Sequence, residues 1–209
     1  MQHPSFFRSA TMKIITVNVI FFLLVFFVSL FYPKIFDFIA LQPSKLLAMP
    51  WTLVTSLFMH ANPFHLLMNM FSLLFLGGFL ERLIGTKRFL FIYFLSGLLG
   101  SILYASVFYL TGTGDLPAVG ASGAIFGLGG MLAVITPRMP VYILFIPVSM
   151  PMWLGVTLSL ALLWIVSILA NLPIGNLAHF GGLIAGLICA FYLRSKYKRR
   201  FRLISNHFR

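Results

Sequence analysis

Six stretches of the chain are apolar and long enough to read as helices crossing a bilayer, each needing roughly 20 mainly apolar residues. They cover residues 14–32, 64–80, 89–110, 119–135, 152–170 and 177–193. A further apolar patch, 142–146, is bounded by Pro140, Pro147 and Pro151. It is too short to span and reads as a connection. Between the first two spans, residues 33–60 mix apolar positions with Lys34, Asp37, Pro43, Lys45 and Pro50. That mixture predicts an interfacial or partly re-entrant segment rather than a free linker. The first apolar run is longer than a signal-peptide core and no small-residue cleavage site follows it, so it reads as a retained span. The expectation is an all-α polytopic membrane protein. It would form one domain over 1–209 with six transmembrane helices, ending in a basic tail at 194–209.

The spans differ in kind. The first, third and fifth are plain Leu/Phe/Ile/Val helices. The fourth and sixth are short and carry Gly120, Gly123, Gly127, Gly129 and Gly130, then Gly181, Gly182 and Gly186. Small residues spaced i, i+4 let membrane helices approach closely. Gly123 and Gly127 form one such stripe, and Ala178, Gly182, Gly186 and Ala190 another.

Composition narrows the function. Hydrophobic residues make up 60% and charged residues 9% of the chain, against about 25% charged in soluble domains. The net charge of +12 points to an anionic membrane leaflet rather than nucleic acid in a chain this apolar. Cys189 is the one cysteine, so neither an internal disulfide nor a cysteine-based metal site can form. The only acids are Asp37, Glu81 and Asp115, which excludes mechanisms built on clustered carboxylates. With the N-terminus inside, six spans place 13 of the 15 Lys and Arg residues inside, leaving Lys34 and Lys45 outside. This agrees with the positive-inside rule.

That orientation puts His65, Ser122 and His179 near the outer side at similar depth, each at the start of a span that runs inward. Asn69 lies one turn from His65 on the same face, about 6 Å deeper. Intramembrane polar groups are costly and usually functional. A serine needs a base to become a nucleophile, and imidazole titrates near neutrality. Ser122 opens a helix, so its N–H has no intrahelical partner and favours anions. His65 and Asn69 can add donors for an oxyanion. Glu81 lies about 18 Å below Asn69 if helical, and Asp115 reads as a loop residue. The expectation is therefore a Ser–His dyad without a carboxylate, with Phe126 one turn below Ser122 placed to pack on the imidazole. Taken singly, each residue has a plainer reading: back-bonding serine, packing histidine, helix-gluing asparagine. Their convergence at one face and depth outweighs it. A transporter would show related halves and a polar path to the inner face, and neither is apparent. A scaffold built on glycine stripes leaves Ser122 unreactive. A metal site from His60, His65 and His179 lacks carboxylates and any His-Glu-x-x-His pattern, so no metal and no cofactor are expected.

The segments GASG at 120–123, AHFGGLIAG at 178–186, FMHANPFHLLMN at 58–69 and GGFLERLIG at 77–85 together resemble the rhomboid intramembrane serine proteases. The likeness runs from Trp51 to the end of the sixth span. It implies a six-helix protease that cleaves membrane-anchored proteins in or near their transmembrane segments. By motif position it implies Ser122 as nucleophile, His179 as base, and His65, Asn69 and the Ser122 N–H as the oxyanion site. Gly120, Gly123, Phe126, Gly182 and Gly186 would support them, and His60 would be structural. Two departures stand out. Trp51-Thr52 replaces a frequent Trp-Arg, and Phe126 stands where Tyr is frequent. Inactive relatives lack the dyad, and this chain keeps it. With no long presequence and no seventh span, the chain resembles the basic prokaryotic form. The expected setting is the plasma membrane, with both termini cytoplasmic and the lipid bilayer and transmembrane substrates as partners. The site should be a water-filled pocket opening outward beneath a lid at 171–176, where Pro173 and Gly175 allow motion.

Overall fold

The computed structural model describes residues 8–143, 147–171, 174–199, 201, 203 and 208. Its helices are α1 (Ala10–Ser29), α2 (Ile35–Ile39), α3 (Thr52–Thr55), α4 (Pro63–Ser72), α5 (Gly78–Ile84), α6 (Thr86–Thr111), α7 (Ser122–Ile135), α8 (Met152–Leu169) and α9 (Asn176–Lys196). A π-helical turn, Leu73–Gly77, joins α4 to α5 without a break. Short strands β1 (Pro140–Tyr142) and β2 (Ser149–Pro151) pair antiparallel. Residues 144–146 of the apolar patch between them lie outside the described residues. Five helices are long and apolar enough to cross a membrane: α1, the α4–α5 unit, α6, α8 and α9. α7 is apolar but shorter, at 14 residues. The architecture is a polytopic helical bundle.

α7 tolerates its shortness because protein surrounds it. Eleven of its 14 residues are buried, packed chiefly against α6 and α9. A helix enclosed by other helices need not match the hydrocarbon thickness. The outer helices instead carry large exposed apolar side chains, among them Phe27, Leu110, Leu169 and Phe191. In lipid these are solvated by acyl chains, so they cost nothing there.

Two helix starts differ from the apolar pattern for local reasons. α7 begins at Ser122 rather than 119 because the approach is extended. Leu41 and Ala118 exchange two backbone bonds (3.0 and 2.8 Å), and the Gly120 N–H donates to the Ser56 carbonyl (2.8 Å). α1 begins at Ala10 rather than 14. The Ser9 hydroxyl caps the Met12 N–H at 3.2 Å, and Glu81 takes the free N–H groups of Ala10 and Thr11, each at 2.9 Å.

Glu81 holds three helices together. Its buried carboxylate also accepts the hydroxyls of Thr11 (2.7 Å) and Thr86 (2.8 Å). An acceptor-only group thus meets four donors from the starts of α1 and α6. Glu81→Ala leaves those donors unpaired in a dry place, at a cost of about 3 kcal/mol. The expected result is a lowered thermal unfolding midpoint in detergent micelles. A midpoint equal to wild type would show that α1 is held by its apolar face alone.

Most of the cations gather at one end of the bundle, Lys13 in α1, Arg82 in α5, Lys87 and Arg88 in α6, Arg138 after α7, and Arg194 and Lys196 in α9, while Lys34 and Lys45 lie in the connection between α1 and α4. Some bond to helix C-termini, where the dipole favours positive charge. Arg88 reaches the Ile84 carbonyl at 3.2 Å, and Arg194 the Val134 carbonyl at 3.3 Å.

Candidate active site

The candidate residues converge at the opposite end, because three helices begin there. His65 lies in the first turn of α4, where the Asn62 side chain accepts the His65 N–H at 2.8 Å and Pro63 opens the helix. Ser122 is the first residue of α7. His179 lies in the first turn of α9, its N–H donating to the Gly175 carbonyl at 3.1 Å. The N–H groups ahead of the first intrahelical bond, that of Ser122 among them, lack intrahelical acceptors and carry the positive end of the helix dipole.

Ser122 Oγ and His179 Nε2 are 2.7 Å apart. The Phe126 ring stacks on the His179 imidazole, with centroids 4.9 Å apart and planes 29° from parallel. The other imidazole nitrogen, Nδ1, is buried and has no hydrogen-bond partner among the described residues. Glu81 and Asp115 are engaged elsewhere. Packing, not a carboxylate, therefore orients the ring.

The close approach of α7 and α9 depends on glycine. A Cβ on Gly182 or Gly186 would collide with the carbonyl oxygens of Gly123 and Gly127. Gly120 has φ +121°, a conformation other residues rarely adopt, and a Cβ there would press on the His65 ring. The His65 ring edge thus faces Gly120 and Ser122. Its Nδ1 accepts a long bond from the Ala61 N–H at 3.4 Å, which leaves the ring proton on Nε2. Asn69 donates from Nδ2 to the His65 carbonyl at 2.9 Å, and its buried Oδ1 has no partner among the described residues.

His60 is fully buried and packs edge-on against His65 at 5.1 Å. Burial, with His65 beside it, pushes its imidazole down to about 3. It therefore stays neutral at physiological pH and packs as a support for the His65 ring. Among the described residues no group of three or more His, Cys, Asp or Glu side chains is placed to hold a metal ion.

The site opens into a cavity of about 1350 Å³ lined by Ser122, His179, His65, Asn69 and Gly120. The cavity does more than open at the helix starts. It continues between the α4–α5 unit and α8, past Phe71, Phe75, Val156, Ser159 and Leu163, toward Arg82. α8 buries the smallest share of the five long helices, so this crevice is loosely walled. Sequence spacing carries no sign of it, since it depends on how helices distant in sequence are set apart. Of the expected lid at 171–176, residues 172 and 173 lie outside the described residues.

Comparison with known proteins identifies the family of the fold. The family model for the Rhomboid domain matches residues 47–196. RHOMBOID-like protein 1 of Arabidopsis thaliana is 37% identical over 142 residues, which is 68% of this chain and 34% of that protein. YdcA of Bacillus subtilis is 34% identical over 156 residues, 72% of this chain and 71% of its own length. The rhomboid protease GluP of the same species is 34% identical over 148 residues, 67% of this chain and 25% of its own. The chain thus spans about a third of the Arabidopsis relative and most of YdcA. On the family model, these relatives and the helical bundle, the chain belongs to the rhomboid family.

Proposed function

We propose that this chain is an intramembrane serine endopeptidase that cleaves membrane-anchored proteins in or near their transmembrane segments. The observation that carries this reading is the 2.7 Å contact between Ser122 Oγ and His179 Nε2 inside a cavity walled by membrane-length helices. In the reaction His179 Nε2 takes the Ser122 proton as Oγ attacks the scissile carbonyl carbon. The oxyanion that forms accepts from the Ser122 N–H, from His65 Nε2–H and from the second Asn69 Nδ2 hydrogen. Collapse breaks the C–N bond, and His179 returns its proton to the leaving amine. Water, deprotonated by the same imidazole, then hydrolyses the Ser122 ester and frees the second product.

A substrate helix reaches Ser122 along the crevice between α4–α5 and α8. Its carbonyl must first leave its own helical hydrogen bond, so segments with Gly, Pro or small polar residues near the cut are favoured. The basic end faces the cytoplasm by the positive-inside rule. This puts both termini inside and the dyad toward the outer side of the plasma membrane.

A fluorophosphonate phosphonylates an activated serine and tests the reading directly. The adduct is expected on Ser122 by peptide mass spectrometry, with parallel loss of cleavage of a membrane-anchored reporter in liposomes. Absence of adduct, or adduct with cleavage intact, overturns the assignment.

A further inference from the structure

The segment that leads into Ser122 is tied to the connection between α1 and α4, and an acid makes the tie. We propose that Asp115 is a positioning residue for the Ser122 site, acting by clamping this lead-in segment onto residues 41–44. The proposal rests on the serine-hydrolase reading above. Asp115 Oδ1 accepts the Ser44 N–H at 2.8 Å, and Oδ2 accepts from Gln42 Nε2 at 3.2 Å. Between those donors lies Pro43, whose carbonyl takes the Tyr109 hydroxyl at 3.0 Å. Leu41 and Ala118 add the two backbone bonds already described.

From Ala118 the path to the nucleophile is short. Two residues on, the Gly120 N–H is held by the Ser56 carbonyl, and Gly120 is wedged against the His65 ring. Ser122 follows. A slip of the lead-in segment therefore moves Gly120 against His65 and shifts the Ser122 N–H. Helix α6 holds the same segment through the Tyr104 hydroxyl, which donates to the Leu116 carbonyl at 2.9 Å, while Gly112 and Gly114, at φ +67° and +80°, give the approach to Asp115 little stiffness of its own. A carboxylate suits the clamp because it only accepts, and the two groups that face it, the Ser44 N–H and the Gln42 Nε2, only donate. Burial pushes the Asp115 carboxyl up, but the bonds from Ser44 and Gln42 and the charge of Lys45 outweigh it and hold the group below its ordinary range. The clamp is thus fully ionised at neutral pH.

The test compares Asp115→Ala, Asp115→Asn, Gln42→Ala and the double variant Gln42→Ala/Asp115→Ala, full-length in liposomes. The readouts are kcat and KM on the reporter, the Ser122 labelling rate, and hydrogen exchange of the peptide 116–121. Asp115→Ala is expected to lower kcat and labelling about tenfold, since small displacements of catalytic groups carry such losses. KM should stay within about twofold, because Asp115 itself lies outside the cavity lining and the crevice between α4–α5 and α8 keeps its walls. Asp115→Asn should recover most of kcat, as its amide oxygen still accepts the Ser44 N–H. The double variant should be no worse than Asp115→Ala, and exchange at 116–121 should quicken. Unchanged kcat or exchange in Asp115→Ala, no rescue by Asn, or additive losses in the double variant would overturn the clamp. Gln42→Ala carries the same test if Asp115→Ala does not fold: a loss of about threefold supports the clamp, and wild-type kcat overturns it. A wild type that takes no label sinks the hydrolase reading itself, whereas exchange still reports on the clamp.

Discussion

Replacing His179 with alanine is expected to lower kcat/KM for a membrane-anchored reporter by about 10³-fold or more, and Ser122→Ala by as much. The two should not add: the double variant is expected to match either single one, because nucleophile and base act as one unit. The geometry explains the size. Among the described residues His179 is the base hydrogen-bonded to Ser122 Oγ, at 2.7 Å, and no carboxylate contacts the far side of that imidazole. Without His179 nothing takes the hydroxyl proton, and nothing returns one to the leaving amine. The ring's role as a packing surface for Phe126 predicts a different pattern. Were packing its only role, His179→Phe would preserve both the stack and the activity. The chemical role predicts that His179→Phe folds, keeps its unfolding midpoint and is inactive. Initial rates in liposomes, with the unfolding midpoint measured beside them, separate the two. More than a tenth of wild-type activity in Ser122→Ala or His179→Phe would remove the dyad from the mechanism.

What the sequence carried about this fold and site, and what it did not, follows from the range of the forces involved. A bilayer demands some 20 apolar residues per span, a local constraint written in consecutive positions, so the helices are legible. Charge asymmetry is also a count along the chain, and it leads to the shared end of the bundle where Ser122 and His179 meet. Glu81 shows the limit. Its partners Ala10 and Thr11 lie 71 and 70 residues away, and no spacing rule links them. From sequence it reads only as a charge far below Asn69. Asp115 likewise reads as a loop residue, while its donors Gln42 and Ser44 are 73 and 71 residues distant. The late start of α7 has the same origin. The apolar run at 119 continues smoothly into the helix, but Ala118 is held by Leu41, and pairing between segments that far apart leaves no periodic trace. Short-range chemistry placed the helices. Long-range hydrogen bonds set where α7 begins and pin the start of α1.

Gly182→Ala tests whether that placement carries the activity. The added methyl would meet the backbone carbonyl of Gly123 far inside van der Waals contact. Backbone lies on both sides, so no rotamer relieves the clash, and α7 and α9 must move apart. The strain falls on the catalytic pair without dilution: Gly123 adjoins Ser122, and His179 sits one turn before Gly182. A displacement of about 1 Å costs on the order of 10²-fold in rate, and overpacking costs about 1–3 kcal/mol of stability. Both losses are expected, with slow fluorophosphonate labelling of Ser122 measured well below the lowered unfolding midpoint. Gly78→Ala is the control. A Cβ there has nothing within 4 Å, so alanine should leave activity unchanged and slightly favour the helix. If the glycines served only to let helices associate, Gly182→Ala would weaken folding while the folded fraction kept its full labelling rate. Proportional loss of label per folded molecule, measured by dividing the labelling rate by the folded fraction, is the outcome that ties the glycine stripe to the 2.7 Å contact.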